Sequence, residues 1–254
     1  MARAPSRGLF VMEPMRAAQE LMQRGLASRT LRKAPRGDGH PVMVLPGFTG
    51  SDASTRVMRA FLRGLGYYVH AWRLGRNWGP TDYILDGIAE RFATLSNEHH
   101  RKLTLIGHSL GGVFARELAR RAPDRVRQVV TLGSPVRWRA GQTSNVEPLY
   151  RSLRGRHSER VRGVRAADLP HIPDSVPLTA IVTRSDGVVG WDSCTVEPGR
   201  ARECIEVRGS HTGLIHNPAA MLIVADRLAQ PEGRWKPFVE RDGIAAKIWL
   251  PDSA

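Results

Sequence analysis

Residues 102–116, Lys-Leu-Thr-Leu-Ile-Gly-His-Ser-Leu-Gly-Gly-Val-Phe-Ala-Arg, restrict the possible fold more than any other stretch of the chain. Leu103 to Ile106 is a short apolar run that reads as a buried strand. Val113, Phe114, Ala115 and Leu118 then recur at helical spacing. Between them, Gly107-His108-Ser109-Leu110-Gly111 leaves only a few residues for a strand to become a helix. A bend that sharp strains the residue at its apex, and flanking glycines let the two segments approach without a Cβ clash. Ser109 is then expected to project its hydroxyl above the carboxyl end of a sheet, at the positive end of the following helix. The competing reading is a Gly-rich turn with an idle serine.

The neighbouring sequence repeats the same alternation. Pro41–Leu45 reads as a strand, Ser51 or Asp52 caps a helix to about Leu65, and Tyr67–Trp72 reads as a second strand. Thr81 or Asp82 opens a helix whose Ile84, Leu85, Ile88, Phe92 and Leu95 form one apolar stripe. After the serine turn come strands at Arg127–Leu132, Leu178–Thr183 and Cys204–Arg208, and a helix from about Pro218 to Leu228. Strands alternating with helices predict right-handed βαβ units, a parallel sheet of α/β class, and chemistry at the carboxyl ends of the strands. Ahead of this lies an extension, residues 1–40, with an amphipathic helix expected over 14–26 and Met15, Ala18, Leu21, Met22 and Leu26 on its packing face. The alternation breaks at 137–176, an Arg-rich insertion with a short helix expected near 147–156. It is placed to serve as a lid over the site, or is a basic surface excursion. The tail, with Trp235, Phe238 and Ile248-Trp249-Leu250, is expected to add an edge hairpin.

Composition narrows the options further. A chain of 254 residues fits a single domain spanning 1–254. The net charge of +14 raises nucleic acid as a partner, but the excess is mostly arginine spread along the chain, with one cluster at 151–165 and no nucleic-acid motif. Nucleic-acid binding is therefore not expected, while peripheral contact with an anionic interface stays open. No stretch is long and apolar enough to span a bilayer, and the start is too short for a signal-peptide core, so a cytoplasmic protein is expected. Cys194 and Cys204 show no metal-ligand spacing and read equally well as a small-loop disulfide or as two reduced thiols; no metal site is expected.

A serine hydroxyl needs a general base within reach, and the base needs a partner that fixes its tautomer. Asp186 follows the fifth strand beside Gly187, and His211 follows the sixth strand between two glycines. Ser109, Asp186 and His211 thus each sit where a strand ends, in the order nucleophile, acid, base. Asp192 and His216 are rivals for the acid and the base. Acyl transfer also requires N–H donors for the developing oxyanion, each worth roughly 2.7–4 kcal/mol. Leu110 supplies one, and Phe48, in the loop Pro46-Gly47-Phe48-Thr49 after the first strand, is placed to supply the second. Thr49, Asn77, Trp78 and His108 are the candidate pocket residues. The other histidines read as surface or packing residues.

These motifs resemble the α/β-hydrolase superfamily in its lipase and esterase branch: Leu-Pro-Gly-Phe for the oxyanion loop, Gly-His-Ser-Leu-Gly for the nucleophile elbow, Ser-Asp-Gly-Val-Val for the acid loop, and Gly-Ser-His for the histidine loop. The resemblance runs over about 41–229. It implies a minimal sheet of about six strands, as in small lipases, and hydrolysis of a small-molecule or lipid ester through an acyl-enzyme without a cofactor. Thioester, amide and acyl-transfer chemistry use the same triad. A non-catalytic binding protein of this fold is the remaining alternative.

Overall fold

A computed structural model describes residues 5–136, 144–159 and 171–238. Its centre is a sheet of six parallel strands, β1 (Pro41–Leu45), β2 (Tyr68–Ala71), β3 (Leu103–His108), β4 (Val126–Leu132), β5 (Leu178–Val182) and β6 (Arg202–Glu206), in the order β2-β1-β3-β4-β5-β6. The order reverses between β1 and β3, which places a crevice at their carboxyl ends. β1, β3, β4 and β5 are buried on both faces almost throughout, which is why they read as continuous apolar runs rather than alternating ones.

Seven helices are described: α1 (Arg7–Leu26), α2 (Ser28–Leu31), α3 (Asp52–Gly64), α4 (Asp82–His99), α5 (Leu110–Arg121), α6 (Glu147–Ser152) and α7 (Pro218–Leu228). The N-terminal hydrogen bonds of α3 and α4 are supplied by the predicted caps: Ser51 accepts from the Ala53 N–H, and Thr81 from the Ile84 N–H. Met58 and Leu62 of α3 join α7 in one apolar layer, while Ile84, Ile88, Phe92 and Leu95 of α4 join α5 in the other. Met58 and Leu62 are fully buried, which stabilises by roughly 1.5–3 kcal/mol each. The sixth strand begins two residues earlier than its apolar pattern suggests. Its register, Leu178↔Arg202 through Val182↔Glu206, is set by pairing with β5 at the sheet edge.

The N-terminal helix corrects the sequence reading. It starts at Arg7 rather than 14, and the face expected to pack is the one turned outward: Met15, Leu21, Met22 and Leu26 are exposed, the last by 86%. Buried instead are Glu13, Ala17 and Glu20. Periodicity identified a two-faced helix but could not say which face meets the protein. The reversal has a physical reason, because loop N–H groups hydrogen-bond both carboxylates (below) and satisfy a burial that would otherwise be prohibitive. Part of the 137–176 insertion, residues 137–143 and 160–170, lies outside the described residues, as does 239–254, including Ile248-Trp249-Leu250 of the expected hairpin. The expected helix near 147–156 is present as α6 followed by a 3-10 turn at Arg154–Arg156. Cys194 and Cys204 are free thiols. Among the described residues no helix is long and apolar enough to cross a membrane, and no group of three or more His, Cys, Asp or Glu side chains is placed to hold a metal ion.

Candidate active site

β3 turns into α5 at Ser109, which has φ 51° and ψ −123°, a conformation rarely adopted by a residue with a side chain. The strain is held by close packing on both sides. A Cβ on Gly107 would lie 2.3 Å from the Gly112 backbone, and one on Gly111 would lie 2.4 Å from the Leu45 carbonyl oxygen. The Ser109 N–H donates to the Leu132 carbonyl at 2.8 Å, tying the turn to β4. Ser109 is itself largely buried, at the N-terminus of α5.

Asp186 and His211 meet directly. His211 Nδ1 lies 2.6 Å from Asp186 Oδ2, and both residues are buried. The other carboxylate oxygen, Oδ1, accepts from the Val188 N–H at 2.8 Å and the Val189 N–H at 2.7 Å, so the carboxylate is fixed by its own turn. Burial works to lower the His211 pKa. The Asp186 charge, its hydrogen bond and the Glu13 charge together outweigh it, so the pKa is raised above the ordinary imidazole value. With Nδ1 donating to Asp186, Nε2 is left as the proton acceptor. The pair sits at the end of β4, the strand paired with the serine's β3: a Cβ on Gly133, just past β4, would be 3.2 Å from His211 Nδ1 and 3.4 Å from Asp186 Oδ2. The described hydrogen bonds include none between the Ser109 hydroxyl and His211; such contacts commonly tighten only when substrate is bound. Of the rivals, His216 hydrogen-bonds the Ala17 carbonyl of α1 at 2.9 Å, and Asp192 lies in the 3-10 turn Trp191–Cys194.

The candidate pocket residues divide by role. His108 adjoins His211: its Nε2 donates to the His211 carbonyl at 2.8 Å. Desolvation and the neighbouring His211 ring push the His108 pKa down to about 4, so this ring is neutral. Asn77 is fully buried and braces the loop after β1. Its side chain donates to the Pro46 carbonyl at 2.9 Å, and its backbone carbonyl accepts from the Thr49 N–H at 2.7 Å. Thr49, at φ 60°, therefore has its N–H engaged, whereas no described hydrogen bond uses the N–H of Phe48 or Leu110. The Phe48 ring packs edge-on against Tyr150 of α6 at 5.5 Å. Trp78 is exposed and stacked by Arg76.

Sequence reasoning missed Glu13, Arg16 and Glu20, whose side chains reach the loops carrying Asp186 and His211. The signal was there: two acids and an arginine at i, i+3 and i+7 share one helical face. An apolar stripe on the opposite face outweighed it.

A family model for the alpha/beta hydrolase fold matches residues 41–171, just over half of the chain and the part that carries Phe48 and Ser109. A carboxylesterase of Bacillus subtilis is 28% identical over 109 residues, 40% of this chain and 44% of that protein. The chain thus spans less than half the length of that curated relative. Among solved structures, Bacillus licheniformis lipase BlEst2 in mature form is similar with a TM-score of 0.57 at 14% identity, over 77% of this chain and 94% of that one. The pyrethroid hydrolase PytH is similar with a TM-score of 0.56 at 16% identity, over 77% of this chain and 99% of that one. At such identities the likeness is one of fold.

Proposed function

The chain belongs to the α/β-hydrolase fold family, and from that premise we propose that it is a serine esterase or lipase that cleaves carboxylic esters through an acyl-enzyme. The observation that carries this reading is the buried Asp186–His211 pair at 2.6 Å, on loops of the same sheet whose β3 ends in a serine on a strained strand-to-helix turn. Similarity to a carboxylesterase and to lipase folds agrees with it.

In this mechanism Ser109 Oγ attacks the acyl carbonyl carbon and its proton passes to His211 Nε2. Asp186 holds Nδ1–H and stabilises the imidazolium. The carbonyl oxygen becomes an oxyanion and is met by the Phe48 and Leu110 N–H groups. Collapse of the intermediate breaks the bond to the alcohol, which takes the proton from His211. Water, deprotonated by the same ring, then releases the acid and restores Ser109. Every step is a proton or acyl transfer, so the residues named suffice without a cofactor. Within the insertion, α6 is read as part of a lid, which the contact between its Tyr150 and Phe48 favours.

The test is hydrolysis of p-nitrophenyl esters from acetate to palmitate by wild type and by Ser109→Ala, with fluorophosphonate labelling of Ser109 as a substrate-independent check. Hydrolysis and labelling that both disappear in the variant support the reading, and the chain-length optimum separates esterase from lipase. A labelled serine with no ester turnover points instead to thioesters, amides or acyl transfer. Absence of both rejects catalysis by this serine.

A further inference from the structure

We propose that α1 is part of the catalytic apparatus, with Glu13 as the positioning residue that holds the acid loop and the histidine loop together, supported by Arg16 and Glu20; this rests on the serine-hydrolase reading above. Glu13 Oε1 accepts from the Gly187 N–H at 2.9 Å and from the His211 N–H at 3.0 Å, and Oε2 accepts from the Thr212 N–H at 2.8 Å. One carboxylate thus binds the residue after the acid, the base itself, and the residue after the base. One turn along the helix, Arg16 donates to the Ser185 carbonyl at 2.8 Å and to the Gly209 carbonyl, joining the same two loops from their carbonyl side. One further turn on, Glu20 accepts from the Ser210 N–H at 2.7 Å and from Asn217 Nδ2 at 2.8 Å. The three side chains lie on one face, so a rigid helix sets the spacing of the loops.

The loops are shaped to receive this face. A Cβ on Gly187 would lie 2.6 Å from the Leu9 carbonyl oxygen, and one on Gly213 would lie 2.4 Å from the Glu20 carboxylate. Glycine at these two positions is therefore explained by the approach of α1.

The chemistry of Glu13 also distinguishes it from a plain structural contact. Its three hydrogen-bond partners are all backbone N–H donors, and the nearest opposite charge is Arg16 at 3.8 Å. A carboxylate satisfies that surrounding, whereas an amide turns at least one donor against a donor. The Glu13 charge also stabilises the imidazolium of His211, which reinforces Asp186 from the backbone side of the base.

The test is Glu13→Gln. Expected are a fall in kcat of about tenfold to a hundredfold with KM little changed, an acid limb of the kcat/KM profile moved to lower pH, and a His211 ring that titrates at lower pH by NMR. Glu13→Asp keeps the charge but shortens the reach. It should lose kcat while leaving the His211 titration near that of wild type, and it serves if Glu13→Gln does not fold. Wild-type kcat and an unmoved His211 titration in a folded Glu13→Gln overturn the proposal, as does a variant that loses thermal stability alone. The NMR titration needs no substrate. If wild type hydrolyses no ester, the reading of the function fails while the titration still decides the role of Glu13.

Discussion

The serine half of the candidate site and its aspartate–histidine half are built in opposite ways. The turn at Ser109 is made by residues 103–121, with neighbours on β1 and β4 closing on it; its geometry follows from a strand, a helix and the glycines between them. Asp186 and His211 sit on loops 25 residues apart in the chain, tied to a helix that precedes the sheet, with the Glu13–Gly187 contact spanning 174 residues and the Glu13–His211 contact 198. The first half stores backbone strain and the second stores buried charge. Local sequence therefore sets the turn at Ser109, whereas the placement of His211 depends on long-range packing. Such contacts are the ones that a change in α1 reaches.

The largest expected effect lies on the local side. Ser109→Ala should remove ester hydrolysis by a factor on the order of a millionfold while the fold, followed by circular dichroism, stays intact. Retained turnover would mean that the strained turn has no catalytic role. On the other side, Asp186→Asn should lower kcat by about 10⁴-fold, and His211, having lost the largest cause that raises its pKa, should titrate at lower pH. Next comes Glu13→Gln, with the smaller loss given above. Should its loss match that of Asp186→Asn, the distinction between the acid and its brace disappears.

In wild type the same electrostatics predict the pH profile. In the proposed mechanism His211 must be neutral to accept the serine proton, and its pKa is raised. The acid limb of kcat/KM should therefore lie above ~6.5, the ordinary imidazole value, with activity falling as pH drops through it. A limb below that value would contradict the buried Asp186–His211–Glu13 arrangement. Smallest is a stability effect. Ser109→Gly should relieve the backbone strain at φ 51° and stabilise the fold by about 1 kcal/mol, measured by denaturant unfolding. Destabilisation would show that the serine side chain itself supports the turn.

The sheet was legible because its signals are local. Pro41–Leu45 carries β1 in an unbroken apolar run, and α7 from Pro218 to Leu228 is marked by the Asn217-Pro218 start and an apolar face. The candidate acid and base were legible for a related reason: each follows a strand in a loop that contains glycine, and the structure brings them into contact. Asn77, by contrast, expected in the pocket from the sequence, braces the loop after β1 through the Pro46 carbonyl. Nothing in its neighbourhood in sequence indicates that partner. The packing face of α1 was misread because apolar periodicity ranks faces by transfer energy, and transfer energy assigns a high cost to two buried glutamates.

The sequence by itself determined the α/β architecture, the order of the strands' carboxyl-end loops, and the strained serine turn. Each depends on periodicity and on the steric limits of a few adjacent residues. Only the tertiary structure decided that Glu13, Arg16 and Glu20 face inward and that the loops of Asp186 and His211 close on them. The physical reason is that a buried charge is tolerated only where donors converge on it, and those donors come from loops more than 150 residues away, arranged by a sheet that forms between them.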